Sequence, residues 1–245
     1  SPMKEEYYRS FGFADLYHRS ISEVRDFASS ELSVINYSRL SEEKKLEFVE
    51  FVNQKLSSST SDMFVKRDLD YYRIHRREMR ALDGGVLAFY TKDGDLVGSV
   101  SFGAEGGKCE AYEVICHKVY ARDVMNALYA YVISKVHLIE PKIVFFDTEF
   151  LPDGMVRNAE RKPYIMGRVI HVKNFLEQMP KHLLLEAFDH EQGFYLDITD
   201  STLPMNNGRY SIGEPPQAAD VISCKVEDLE ERVFPLIHTY INDIT

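Results

Sequence analysis

The stretch GGVLAFYTKDGDLVGSVSFGAE, residues 84–105, constrains this chain more than any other. Two alternating apolar runs flank Asp93-Gly94, a dipeptide that accepts the tight turn between antiparallel strands. A third strand is expected over 110–118 after a Gly106-Gly107 turn, and PKIVFFDTEF (141–150) reads as a buried strand. Helical spacing brackets this block. Leu46, Phe48, Val49 and Val52 predict a helix over 41–55, and Val124, Leu128, Tyr131 and Val132 predict one over 121–137. Another helix is expected over 63–82, capped by Ser61 or Asp62. The order helix, helix, three antiparallel strands, helix, strand predicts an α+β layer.

The low-apolar stretch LPDGMVRNAERKP (151–163) reads as a linker, after which the pattern restarts. YIMGRVIHV is expected as a strand and 173–178 as a short helix. GFYLDITD and GRYSIG read as strands joined around Asn206-Asn207-Gly208, residues that accept turn geometry. A strand in AADVISCKV and a helix over 227–242 complete the pattern. A length of 245 residues suits two small domains, expected over 29–155 and 163–245. Residues 1–28 give a short helix, a turn and a weak strand, too little to bury a core alone.

The formal net charge of −10 argues against nucleic acid as a partner and suits a cationic substrate such as an amine. No apolar run approaches the roughly 18 residues of a membrane span. Three scattered cysteines read as free thiols in a reducing cytoplasm, the expected location. The eight histidines show no metal-ligand spacing, so no metal is expected. No Gly-x-Ser-x-Gly elbow supports nucleophilic hydrolysis. Asp189-His190-Glu191 reads as a surface turn, and Arg73, Arg76, Arg77 and Arg80 as a solvated helix side balanced by Asp68, Asp70 and Glu78.

EYYRSFGFA (6–14) carries two patterns. Arg9-x-x-Gly12-x-Ala14 resembles the pyrophosphate loop of acetyl-CoA-dependent N-acetyltransferases, but the polar Lys4-Glu5-Glu6 precedes it where such a loop needs an apolar strand. Tyr7-Tyr8-x-x-Phe11-Gly12-Phe13 resembles the last helix and turn of a Gcn5-related N-acetyltransferase domain. With RKPYIMGRVIHVKNFLE, GFYLDITDSTLPMNNGRYSI and the terminal YINDIT, the chain resembles acetyltransferases of the enhanced-intracellular-survival type, most sharply over 7–13, 161–176 and 194–210.

That resemblance implies a stub of a first acetyltransferase domain (1–28), a central domain of similar fold without a cofactor site (29–155) and a sterol-carrier-protein-like domain (163–245). It implies acetyl-CoA as co-substrate, bound outside this chain, and a homo-oligomer. It casts Tyr8 as the acid that protonates a departing thiolate and the α-carboxylate of Thr245 as the base that takes the amine proton. The residues alone read Tyr8 equally as a packing position and 245 as a frayed terminus. The competing expectation is a non-enzymatic binding or assembly module.

Overall fold

The computed structural model describes residues 5–59, 63–146, 150–151, 157–216, 220–236 and 239–240. Contacts divide the chain into two compact units: Arg19–Lys162 with Tyr240–Thr245, and Ser1–His18 with Pro163–Thr239. Among the described residues no helix is long and apolar enough to cross a membrane.

A seven-stranded mixed sheet dominates the first unit. Its strands are Ala14–Val24 (β1), Ser33–Asn36 (β2), Gly85–Tyr90 (β4), Leu96–Gly103 (β5), Cys109–Cys116 (β6), Ile143–Phe145 (β7) and Arg157–Gly167 (β8). They run in the order β2-β4-β5-β6-β7-β1-β8, with Met63–Phe64 (β3) outside this sheet. The Asp93-Gly94 hairpin forms as read, closed by Thr91 N–H to Asp95 C=O at 2.9 Å. Every residue of β4 and β5 is buried, so both faces of the sheet are covered. The stretch read as a linker contributes β8 instead, as the sheet neighbour of β1.

Three helices supply the cover. Ser41 caps Glu42–Ser57 (α2), its side chain accepting from Lys44 N–H at 3.3 Å. The helix expected from 63 begins later, as Leu69–Ala81 (α3), because Asp68 takes the Tyr71 N–H at 2.7 Å and fixes the start. Ser61 and Asp62, the expected caps, lie outside the described residues. Side chains alternate across β5, which places the helices. A Cβ on Gly98 would stand 2.8 Å from Val124 of Ala121–Ile133 (α4), whereas the Ser101 hydroxyl lies 2.9 Å from His75 Nε2 of α3. Helices α3 and α4 therefore cover opposite faces. On the α3 side sits a buried ion pair, Arg67 Nη2 to Glu113 Oε1 at 3.0 Å.

The second unit builds on a three-stranded sheet, β10-β9-β11, of Phe194–Thr199 (β9), Gly208–Ile212 (β10) and Val221–Lys225 (β11). Strands β9 and β10 pair antiparallel and β11 pairs parallel to β9. Glu5–Arg9 (α1), Val172–Gln178 (α5), Lys181–Ala187 (α6) and Val226–Val233 (α7) belong to this unit. Val172, Leu184, Leu196 and Leu229 share its core. The closing helix expected over 227–242 stops at Val233, since Pro235 has no N–H to continue it. Residues 164–167 extend β8, but the strand does not reach 172, where α5 begins.

Candidate functional site

Tyr8 stands in the single α-helical turn of α1. Its carbonyl accepts the N–H of Phe11 at 3.0 Å and of Phe13 at 3.3 Å, which rolls the helix into the Phe-Gly-Phe turn. Gly12 sits at φ +76°, and a Cβ there would meet the Arg168 guanidinium at 3.1 Å, so both backbone angle and space demand glycine. The Tyr8 ring makes edge contacts with Tyr7 and Phe13, with centroids 5.5 and 5.7 Å apart, and the residue is 38% exposed. The amides of Ser10, Phe11, Gly12 and Phe13 all donate back to carbonyls of α1. A phosphate cradle needs such amides aimed outward, so the Arg9-x-x-Gly12-x-Ala14 pattern builds none here. Arg9 instead pairs with Asp15 at 2.5 Å and Glu231 at 2.9 Å.

The turn is seated on a buried polar node. Arg168 donates through Nη1 to the Phe11 carbonyl and through Nη2 to Asp200. Asp200 also accepts the N–H groups of Thr202 and Leu203 at 2.9 and 2.8 Å, and Asn206 Nδ2 at 2.9 Å. Asn206, 1% exposed, holds Val172 N–H on its Oδ1 at 3.1 Å, and its carbonyl accepts the Tyr210 hydroxyl at 2.8 Å. The blocks 7–13, 161–176 and 194–210 thus meet at Arg168, Asp200 and Asn206. Glu230 closes the node, accepting Val169 N–H on Oε1 while Oε2 has no hydrogen-bond partner.

Burial pushes the Asp200 pKa up, but the bonds from Arg168, Asn206, Leu203 and Thr202 outweigh it and hold the carboxyl at about 2. A depressed folded value means stability that is present above the unfolded pKa of 3.8 and lost as pH falls through about 2. Acid titration of the melting temperature is expected to show a loss of about 2 kcal/mol over that window. The Asp200→Asn variant should lack that increment; an identical acid limb in the variant would rule out the node as its source.

No protein-family model matches the chain, and no curated protein sequence matches it. Solved structures do. A GCN5-related N-acetyltransferase from Kribbella flavida superposes at TM-score 0.57 with 16% identity, covering 96% of this chain and 60% of that one. A probable N-acyltransferase of unknown function from Enterococcus faecalis gives 0.56 at 16% identity, covering 92% and 59%. Eis1 from Mycobacterium abscessus gives 0.53 at 13%, covering 95% and 62%. The fold is that of the GCN5-related N-acetyltransferases. The chain spans about three-fifths of the length of these structures.

A pyrophosphate cradle needs main-chain amides free at a strand-to-helix junction. Here β6 leads into α4 through His117 and a 3₁₀ turn, Lys118–Tyr120. His117 N–H donates to Val97 C=O at 3.0 Å and Tyr120 N–H to His117 C=O at 2.8 Å, while Ala121 N–H is taken by Lys118 C=O. The junction contains no glycine. The His117 ring is also held from α2, with Nδ1 2.7 Å from Lys55 Nζ and Phe51 beside it. The His117, Tyr120 and Ala121 amides are therefore not free to receive a pyrophosphate.

Of the two catalytic residues expected from sequence, Tyr8 lies on α1 beside the node, and Thr245 lies outside the described residues. The first unit brings together a trio that spacing does not reveal: Ser101, His75 at 2.9 Å and Glu78 at 3.4 Å from the other ring nitrogen. Ser101 is 0% exposed, so no substrate carbonyl reaches it and the trio is a core hydrogen-bond chain. Arg73, of the arginine-rich face of α3, pairs with Asp70 at 2.9 Å as a solvated side does. Arg168, Asp200 and Glu230 went unnoticed in the sequence.

Proposed function

We propose that the chain is part of an acetyl-CoA-dependent N-acetyltransferase of the enhanced-intracellular-survival type, acting on a cationic amine, with residues 163–245 as a sterol-carrier-protein-like domain. In this reading the amine nitrogen attacks the thioester carbonyl and the carbon–sulfur bond breaks. Tyr8 gives its phenolic proton to the departing sulfur, and the Thr245 α-carboxylate takes the proton that the amine gives up. The observation that carries the reading is the seating of the Tyr8 turn. A guanidinium buried with Asp200 fixes the Phe11 carbonyl, three residues from Tyr8, on a rigid support. A positioned acid needs such a support.

Thiol release from acetyl-CoA with polyamine or aminoglycoside acceptors tests it. This chain by itself is expected to give none, because the His117, Tyr120 and Ala121 amides at the β6–α4 junction are engaged. In a polypeptide that joins it to an acetyl-CoA-binding domain, Tyr8→Phe should lower kcat about 100-fold at unchanged melting temperature. Full activity in that variant defeats the assignment. The same engaged junction favours a second reading, a non-enzymatic binding or assembly module, which predicts no thiol release in either context.

A further inference from the structure

Helix α3 turns Tyr72, His75 and Met79 into the core and leaves Arg73, Arg76, Arg77 and Arg80 exposed. At 3.6 residues per turn the four arginines share an arc of about 100°. The sequence offers Asp68, Asp70 and Glu78 to balance them, but the fold uses only one of these acids for that purpose. Asp68 caps the helix by taking the Tyr71 N–H at 2.7 Å. Asp70 pairs with Arg73 at 2.9 Å, and Glu78 turns to His75 Nδ1 at 3.4 Å. Arg76, Arg77 and Arg80 enter no ion pair among the described residues. Three unbalanced guanidinium groups therefore stand together on a chain of net charge −10.

We propose that this face of α3 docks an acidic, extended peptide segment of a partner protein. Each guanidinium presents a planar fork that matches a carboxylate with two parallel bonds. Arg76 and Arg80 are separated by about 6 Å along the helix axis. Alternate residues of an extended chain are about 6.6 Å apart and point the same way, so carboxylates at every second position reach both. Of the large apolar side chains of α3, Leu69 and Ile74 are the exposed ones, at 37% and 50%. Neither is aromatic, so the face offers no ring on which a nucleic-acid base could stack. The apolar face that a membrane-surface helix would insert is already buried on the sheet. Charge complementarity then favours protein carboxylates. The docking face is independent of acetyl transfer and belongs to the first unit alone.

Fluorescence anisotropy of a labelled octapeptide alternating glutamate and serine, titrated with the chain, tests the proposal. Saturable binding is expected, weakening as sodium chloride rises from about 25 to 150 mM, because exposed charge pairs are screened. The glutamine–serine counterpart should not bind. Arg76→Gln/Arg77→Gln/Arg80→Gln should weaken the acidic peptide roughly tenfold at unchanged melting temperature. If that variant does not fold, Arg77→Gln alone should weaken it about twofold. Lys118→Gln/Arg122→Gln/Lys135→Gln removes the same charge from exposed positions around α4 and should leave the affinity unchanged. No saturable binding, equal binding of the glutamine peptide, unchanged affinity in the arginine variants or an equal loss in the α4 control would each overturn the proposal. So would tighter binding of octathymidylate or of phosphatidylserine vesicles at the same salt, which would give the face to nucleic acid or to a membrane. Self-association that the arginine variants abolish, without peptide binding, would also overturn it and assign the face to a second copy.

Discussion

Arg67→Met is expected to destabilise the chain by about 3–5 kcal/mol in urea unfolding, the cost of stranding one member of a buried ion pair. Arg67 is 1% exposed and Glu113 1%, and their contact at 3.0 Å lies under α3. The backbone of Arg67 is fixed at both polar atoms by the Asn53 amide of α2, each bond 2.8 Å, so the guanidinium cannot swing out to water. Its face also rests 4.1 Å from the centre of the Tyr71 ring. In the variant, methionine fills the space but Glu113 loses its counter-charge, and its Oε2 already lacks a hydrogen-bond partner. Adding Glu113→Leu should restore most of the loss, since an apolar pair of similar volume often matches a buried ion pair. Equal stability of the single and double variants would show that the charge was not the cause.

The second large effect is a loss of stability on going alkaline. Burial pushes the Glu230 carboxyl from 4.5 up to about 8, and Glu227 and Asp200 add to the rise while Val169 N–H and Arg168 oppose it. A raised folded value gives stability that is fully present below about 4.5 and lost as pH climbs through about 8. Roughly 3–5 kcal/mol should disappear between pH 5 and 9. In the neutral acid, Oε1 accepts Val169 N–H, and the proton on Oε2 removes the charge that no partner meets. Glu230→Gln keeps the acceptor and cannot ionise, so its stability should stay level across that range and exceed the parent's at pH 9. Parallel curves for the two proteins would exclude Glu230.

Local chemistry made much of the fold legible. Asp93-Gly94 announced the β4–β5 hairpin, Ser41 the start of α2, and Asn206-Asn207-Gly208 the turn into β10. What stayed hidden depended on distant partners. Helix α6 is only seven residues behind Pro180, too short for a periodic signal. Strand β8 looked like linker because its apolar content is low; its place in the sheet comes from β1 as neighbour. Asn206 reads as a turn residue and is one, yet the same side chain is buried and bonds Asp200, Val172 and Ile170. Charged residues such as Arg168 and Glu230 look like surface in a string of letters, and only assembly shows them to be interior.

The unit that holds Tyr8 is discontinuous: residues 1–18 and 163–239 share it, with 19–162 lying between them in the chain. Gly12 leaves the ribosome well ahead of Arg168, by roughly 8–30 s at synthesis rates of about 5–20 residues per second. During that interval Tyr7, Tyr8 and Phe11, still 38–60% exposed in the finished fold, have none of their later supports. The aromatic turn therefore gains its Arg168 seat only after the whole intervening segment has been made.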